Sequence, residues 1–181
     1  MKDNIVLIGF MGTGKTAVGL RLSQILKRNF VDTDSEITKT LNMTIPEIFR
    51  KLGEVRFRSE EKLLIEKLSM KQGLIISTGG GVVLDLDNLK GLQKSGVVIC
   101  LQASPEEILN RVNRKKGTRP LLGKDVTVET IQTMLKDRAI YYNQADYMID
   151  TNQKDFQTIC QEIMSLMHIE TESKDEKNQE P

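Results

Sequence analysis

GFMGTGKT, residues 9–16, stands between the apolar run NIVLI and the helix-patterned stretch KTAVGLRLSQILK. It fits G-x-x-x-x-G-K-[S/T], whose glycines turn backbone N–H groups inward around phosphate oxygens at the start of a helix. The expectation is a P-loop. Gly12, Thr13, Gly14 and Ala17 lend the backbone, Lys15 directs its ammonium at the β and γ phosphates, and Thr16 offers a hydroxyl to Mg2+. A strand before and a helix after are the context that such a loop requires, so a nucleoside triphosphate site is the first functional expectation.

Outward from this loop, short apolar runs recur at NFVDT, GLIIST, GVVICL and DYMID, separated by longer stretches with helical spacing. That alternation is the signature of repeated βαβ units and predicts a parallel sheet covered on both faces. Helical patterning is clearest in KTAVGLRLSQILK, in EVRFRSEEKLLIEKLSM, and near the end, where Phe156, Ile159, Cys160, Ile163 and Met167 share one stripe and are expected to face the core. Ser104 before Pro105, followed by two acids, reads as an N-cap and first turn. NRKKGTRPLLGKD, residues 113–125, has glycines, a proline, many cations and little periodicity, and reads as a mobile loop. A second glycine run, Gly79, Gly80 and Gly81, follows an apolar strand, where ligands bind in open α/β sheets. No acid ends that strand, so a metal's second anchor must come from elsewhere, with Asp32 the candidate.

The chain has 181 residues, enough for one domain with a substantial core. Charged residues make up 28% and hydrophobic ones 39%, the balance of a soluble globular protein. Residues 168–181 hold five acids and two lysines, with almost no apolar content, and read as a disordered acidic tail. Residues 1–167 hold 24 cations against 20 acids. This surplus, with aromatics at 4%, is too small to argue for nucleic acid and better suits a small anionic ligand. Cys100 and Cys160 sit in apolar surroundings and read as buried thiols, neither a disulfide nor a metal pair. The apolar start is broken by glycine and followed by Lys15, which is neither a signal-peptide layout nor a membrane span, so a cytoplasmic protein is expected.

FVDTDSEI, residues 30–37, places Asp32 and Asp34 two positions apart. Read alone, the pair fits a helix cap, a metal ligand, a catalytic base or solvated surface. If the strand runs through both, i and i+2 face one site. Asp34 is also placed to cap a helix starting near Ser35.

GFMGTGKT, DTDSEI, FRSEE, STGGGVV and RPLL, in this order and at roughly these intervals, resemble shikimate kinase, and the resemblance covers residues 5–153. It implies a three-layer α/β/α fold of the P-loop kinase type. The features it implies are a five-stranded parallel sheet in a single domain over residues 1–167, a lid at about 113–125 and an acceptor-binding region at about 33–61. It also implies ATP-dependent phosphorylation of shikimate at the 3-hydroxyl by a monomer. Asp32 would then help Thr16 to hold Mg2+, and Asp34 would hydrogen-bond the reacting hydroxyl. Arg58, held by Glu61, and Arg138 would grip the carboxylate, beside Gly79, Gly80 and Gly81. Arg119 would close over the γ-phosphate, Arg111 would stack on adenine, and Asn152 would border the base. Phe49 and Phe57 fit either the pocket wall or the core. Two rivals are a related kinase for another hydroxylated acid such as gluconate, and a non-catalytic nucleotide-binding module. The latter has no need of Lys15, Asp34 and Arg119 together.

Overall fold

The computed structural model describes residues 3–114 and 126–169. Five strands alternate with helices: β1 (Asn4–Ile8), α1 (Lys15–Leu26), β2 (Asn29–Asp32), α2 (Thr33–Leu41), α3 (Ile45–Ser69), β3 (Leu74–Ser77), α4 (Leu86–Ser95), β4 (Gly96–Gln102), α5 (Pro105–Asn113), α6 (Val128–Tyr142), β5 (Tyr147–Asp150) and α7 (Phe156–Leu166). All strand pairs are parallel, in the order β2-β3-β1-β4-β5. Each of the five apolar runs became a strand. Among the described residues, no helix is long and apolar enough to cross a membrane.

The period of two along β1 sorts its side chains between two cores. Ile5 and Leu7 pack with Val18 and Leu22 of α1 and with Ile159, Cys160 and Ile163 of α7. Val6 and Ile8 face the opposite layer, where Ile65, Leu89, Leu92, Ile108 and Ile131 come from α3, α4, α5 and α6. Fully burying a side chain such as Leu22 stabilises the fold by about 2–3 kcal/mol. A third, smaller cluster of Ile37, Ile48 and Phe57 binds α2 to α3 beside the main sheet.

This layering positions the site. The loop after β1 leads to α1 on one face, whereas the loop after β3 leads to α4 on the other. β1 and β3 are neighbours, so their loops diverge at the carboxyl edge and leave a crevice between them.

Several local expectations need correction. Helix α3 starts earlier than its periodic stretch, because Thr44 and Glu47 form a reciprocal capping box, and it breaks at Gly53, where φ is 79°. Phe156 does not join the core stripe of α7: it is the first helical residue and 50% exposed, while Met164 is buried instead. The ordered chain also passes position 167. His168 takes φ 52°, its N–H and that of Ile169 satisfy Ser165 and Met164 carbonyls, and Ile169 packs against the core. The remainder of the acidic tail and the lid stretch 115–125, including Arg119, lie outside the described residues.

Candidate active site

The phosphate cradle is built by β1, its loop and the first turn of α1. Gly14 occupies the N-cap of α1 with φ 97°, a conformation that disfavours any side chain, and no side chain caps the helix. The first N–H groups of α1 therefore remain available to an anion. Lys15 is buried, and its Nζ donates to the carbonyls of Gly9 (2.8 Å) and Phe10 (2.9 Å), folding the ammonium back over the loop. Thr13 Oγ1 donates to the Phe10 carbonyl at 2.8 Å, which braces the same turn.

Beside the cradle, Thr16 Oγ1 donates to Asp32 Oδ2 at 2.8 Å and lies 3.5 Å from Ser77 Oγ. These oxygens come from α1, β2 and β3. They are the hard donors that Mg2+ accepts alongside phosphate and water. Among the described residues no group of three or more His, Cys, Asp or Glu is placed to hold a metal by itself. A metal here would depend on nucleotide oxygens as well.

The two aspartates share the site, but not through strand alternation. β2 ends at Asp32, and Asp34 lies in the first turn of α2. The cap is also Asp32: its Oδ1 accepts from Ser35 N at 3.1 Å while Oδ2 serves Thr16. Asp34, the expected cap, is thereby left to face the cleft, near a helix N-terminus that favours its negative charge. Between them Thr33 is fully buried and accepts from Gly79 N at 2.8 Å, tying this corner to the loop after β3.

That loop needs glycine for lack of room. A Cβ on Gly79 would lie 2.5 Å from Asp34 Oδ1, and one on Gly81 would lie 2.6 Å from Arg58 Nη1. Both polar groups rest directly on the backbone. Arg58 donates to Glu61 Oε2 at 2.5 Å and to Glu54 Oε1 at 3.0 and 3.2 Å, with its guanidinium 5.4 Å from the Phe57 ring centroid. Glu61 is almost wholly buried, and among the described residues its other oxygen, Oε1, has no hydrogen-bond partner. Burial pushes this carboxyl up to about 7; Arg58 opposes the rise, and Asp34 and Glu54 add to it. Burial outweighs the ion pair.

Arg138 enters from α6. It donates to the Gly80 carbonyl at 3.2 Å and lies 5.2 Å from the Phe10 ring centroid, and Tyr142 Oη donates to the same carbonyl. Phe49 and Phe57, 5.0 Å apart, serve both roles left open for them: they join the α2/α3 cluster and line the cleft.

A single cleft of about 560 Å³ connects these parts, from Lys15, Thr16 and Asp32 to Asp34, Arg58, Glu61 and Arg138 in one direction and to Arg111 and Phe156 in the other. Arg111 donates to Glu107 Oε1, to the carbonyl and hydroxyl of Thr151, and to the Gly12 carbonyl. Its guanidinium is held at the edge of the P-loop. Asn152 is engaged elsewhere: its Oδ1 accepts from Ser104 N at 2.9 Å, which secures the turn into α5, and it does not line the cleft. Cys100 and Cys160 are buried thiols, and burial pushes them up to about 12 and about 11, far from a reactive range.

Thr33, Glu54, Ser77 and Tyr142 were not anticipated. Glu54 precedes Arg58 by one helical turn and Tyr142 follows Arg138 by one, a spacing that pairs side chains on a helix. Ser77 ends β3, at the position where an acid was sought and found missing.

The shikimate kinase family profile matches residues 11–168. Shikimate kinase from Pelotomaculum thermopropionicum is 49% identical over 166 residues, covering 92% of this chain and 94% of that protein. Shikimate kinase from Acinetobacter baumannii, solved in complex with shikimate, superposes with a TM-score of 0.87 at 38% identity, covering 92% and 93% of the two chains. A gluconokinase from Sinorhizobium meliloti superposes with a TM-score of 0.57 at 14% identity over 91% and 90%, a likeness of fold alone.

Proposed function

The chain belongs to the shikimate kinase family, and from that premise we propose that it transfers the γ-phosphate of ATP to the 3-hydroxyl of shikimate, giving shikimate 3-phosphate and ADP. The observation that carries this reading is the continuity of the cleft: one space joins a P-loop to a carboxylate-gripping end with a carboxylate of its own between them.

In this reading Arg58 and Arg138 bind the shikimate carboxylate. A planar guanidinium offers two parallel N–H groups to two oxygens, and Glu54 and Glu61 hold the plane of Arg58 in place. Asp34 accepts a hydrogen bond from the 3-hydroxyl and orients that oxygen toward the cradle. Phosphoryl transfer has a loose transition state, so the alcohol's proton leaves late and orientation counts for more than early deprotonation. Lys15 exchanges its loop carbonyls for phosphate oxygens, and the N–H groups from Gly12 to Ala17 surround them. Thr16 and Asp32, with Ser77 beside them, would hold Mg2+, which would supply positive charge against the phosphates. Arg119 is assigned to the γ-phosphate on the resemblance of GTRPLL alone. The protein acts as a cytoplasmic monomer on small molecules, without membrane and without nucleic acid, the last in keeping with its near-neutral charge.

The test is ADP release from MgATP with shikimate, with gluconate and with no acceptor. Release that depends on shikimate supports the reading. Release triggered by gluconate alone overturns the acceptor assignment, and ATP binding with neither acceptor active points to a non-catalytic module.

A further inference from the structure

Two arginines face the acceptor end of the cleft, and they are held by different means. Arg58 has its plane fixed by the carboxylates of Glu54 and Glu61. Arg138 pairs with no carboxylate among the described residues; its guanidinium is located by the Gly80 carbonyl, 3.2 Å from Nη1, and by the Phe10 ring. That carbonyl lies in a run of three glycines, the residue type with the widest choice of backbone conformation, and is a poor anchor unless something else holds it. Tyr142 holds it. Its hydroxyl donates to the same oxygen at 3.2 Å, and a carbonyl oxygen has two lone pairs with which to receive both donors. Tyr142 is the last residue of α6, one helical turn after Arg138, a spacing that puts both side chains on one face. It is buried in the same core cluster as Phe10, Val82 and Val83. The chain just beyond it is pinned: Ala145 N donates to the Tyr142 carbonyl, Asp146 N to the Val98 carbonyl, and Val98 N to Asp146 Oδ2. Burial pushes the phenol up to about 12, so it stays a proton donor throughout the neutral range. Phenylalanine would fill the same space, so the hydroxyl answers to the carbonyl and not to packing.

We propose that Tyr142 is a positioning residue for the acceptor carboxylate: through the shared Gly80 carbonyl it sets where the Arg138 guanidinium stands. Tyr142 does not line the cleft, so it acts on the acceptor only through Arg138. When Arg138 turns its N–H groups toward a carboxylate, the Gly80 carbonyl keeps a donor in Tyr142, and the guanidinium is released without leaving that oxygen unpaired. The inference deepens the kinase reading and rests on it.

Tyr142→Phe removes the hydroxyl and keeps the ring. It should lower kcat/KM for shikimate by about two- to tenfold, the range for one hydrogen bond. The loss should lie in the KM for shikimate, with kcat and the KM for ATP unchanged, a split that general loosening of α6 would not produce. A hydroxyl that works through Arg138 has nothing to position once the guanidinium is gone. In an Arg138→Met background the same substitution should therefore change kcat/KM for shikimate by less than about twofold. A loss in that background as large as in the parent, or larger, overturns the inference alone. So does Tyr142→Phe with the parent's KM for shikimate, or with the KM for ATP raised to match. A parent protein that releases no ADP in the presence of shikimate overturns the kinase reading and the inference together.

Discussion

Glu61→Gln isolates the most strongly perturbed carboxyl of the acceptor end. Its pKa rises from an ordinary 4.5 to about 7, burial being the largest cause. Below about pH 4.5 the side chain is protonated in both the folded and the unfolded chain, and it imposes no cost. Between pH 4.5 and 7 the unfolded chain gives up the proton while the folded one retains it, so stability falls as pH rises and levels off above the folded value. At ~1.36 kcal/mol per pH unit between the two values, the loss attributable to Glu61 is about 3 kcal/mol. Glutamine has the same shape and no titration. Weakening of the bond to Arg58 lowers the stability of the variant by an amount that does not vary with pH over this range, so the slope is the informative quantity. Urea unfolding of parent and variant from pH 4.5 to 8.5 should show the variant gaining about 3 kcal/mol on the parent across that window. Parallel curves would refute the reasoning. A variant that loses ground as pH rises would show that Arg58 holds Glu61 ionised and that the ion pair outweighs burial.

Asp34→Asn should lower kcat by roughly 10²–10⁴, the range for loss of a positioned acid–base group, while ATP affinity measured by calorimetry stays near that of the parent. Near-normal turnover would exclude the assigned role. Arg58→Lys keeps the charge and loses the fork, and the KM for shikimate should rise about tenfold with the KM for ATP unchanged. Equal KM values would argue against the carboxylate clamp. Gly81→Ala adds a methyl group 2.6 Å from Arg58 Nη1. It should shift the guanidinium and reproduce the Arg58→Lys phenotype in steady-state kinetics, and an unaffected KM would mean that Arg58 has room to move.

The strands and the P-loop were legible because each rests on a local pattern: an apolar run of four to seven residues, or glycines at fixed offsets from a lysine. Which of Asp32 and Asp34 caps α2 was not. It depends on where β2 stops, and a boundary one residue earlier or later exchanges cap and cleft. Phe156 was misread for a similar reason, since helical periodicity places a residue on a stripe but cannot tell whether the stripe's first turn has anything to pack against. Ser77 and Thr33 act through contacts to α1 and to the loop after β3, and no spacing within the chain announces a partner 46 or 61 positions away. Nor does any local pattern announce that Asn152 Oδ1 secures the backbone of Ser104, 48 positions away.

Position-resolved analysis of the product bears most directly on the claim that one cleft delivers the γ-phosphate of ATP to a single hydroxyl of shikimate. Incubation with MgATP and shikimate, followed by ³¹P and ¹H NMR of the purified product, should show a phosphomonoester coupled to the proton on the carbon bearing the 3-hydroxyl, formed in equal amount to ADP. Phosphate on another hydroxyl would contradict the placement of Asp34 beside the reacting oxygen. Inorganic phosphate in place of an ester would contradict the transfer itself.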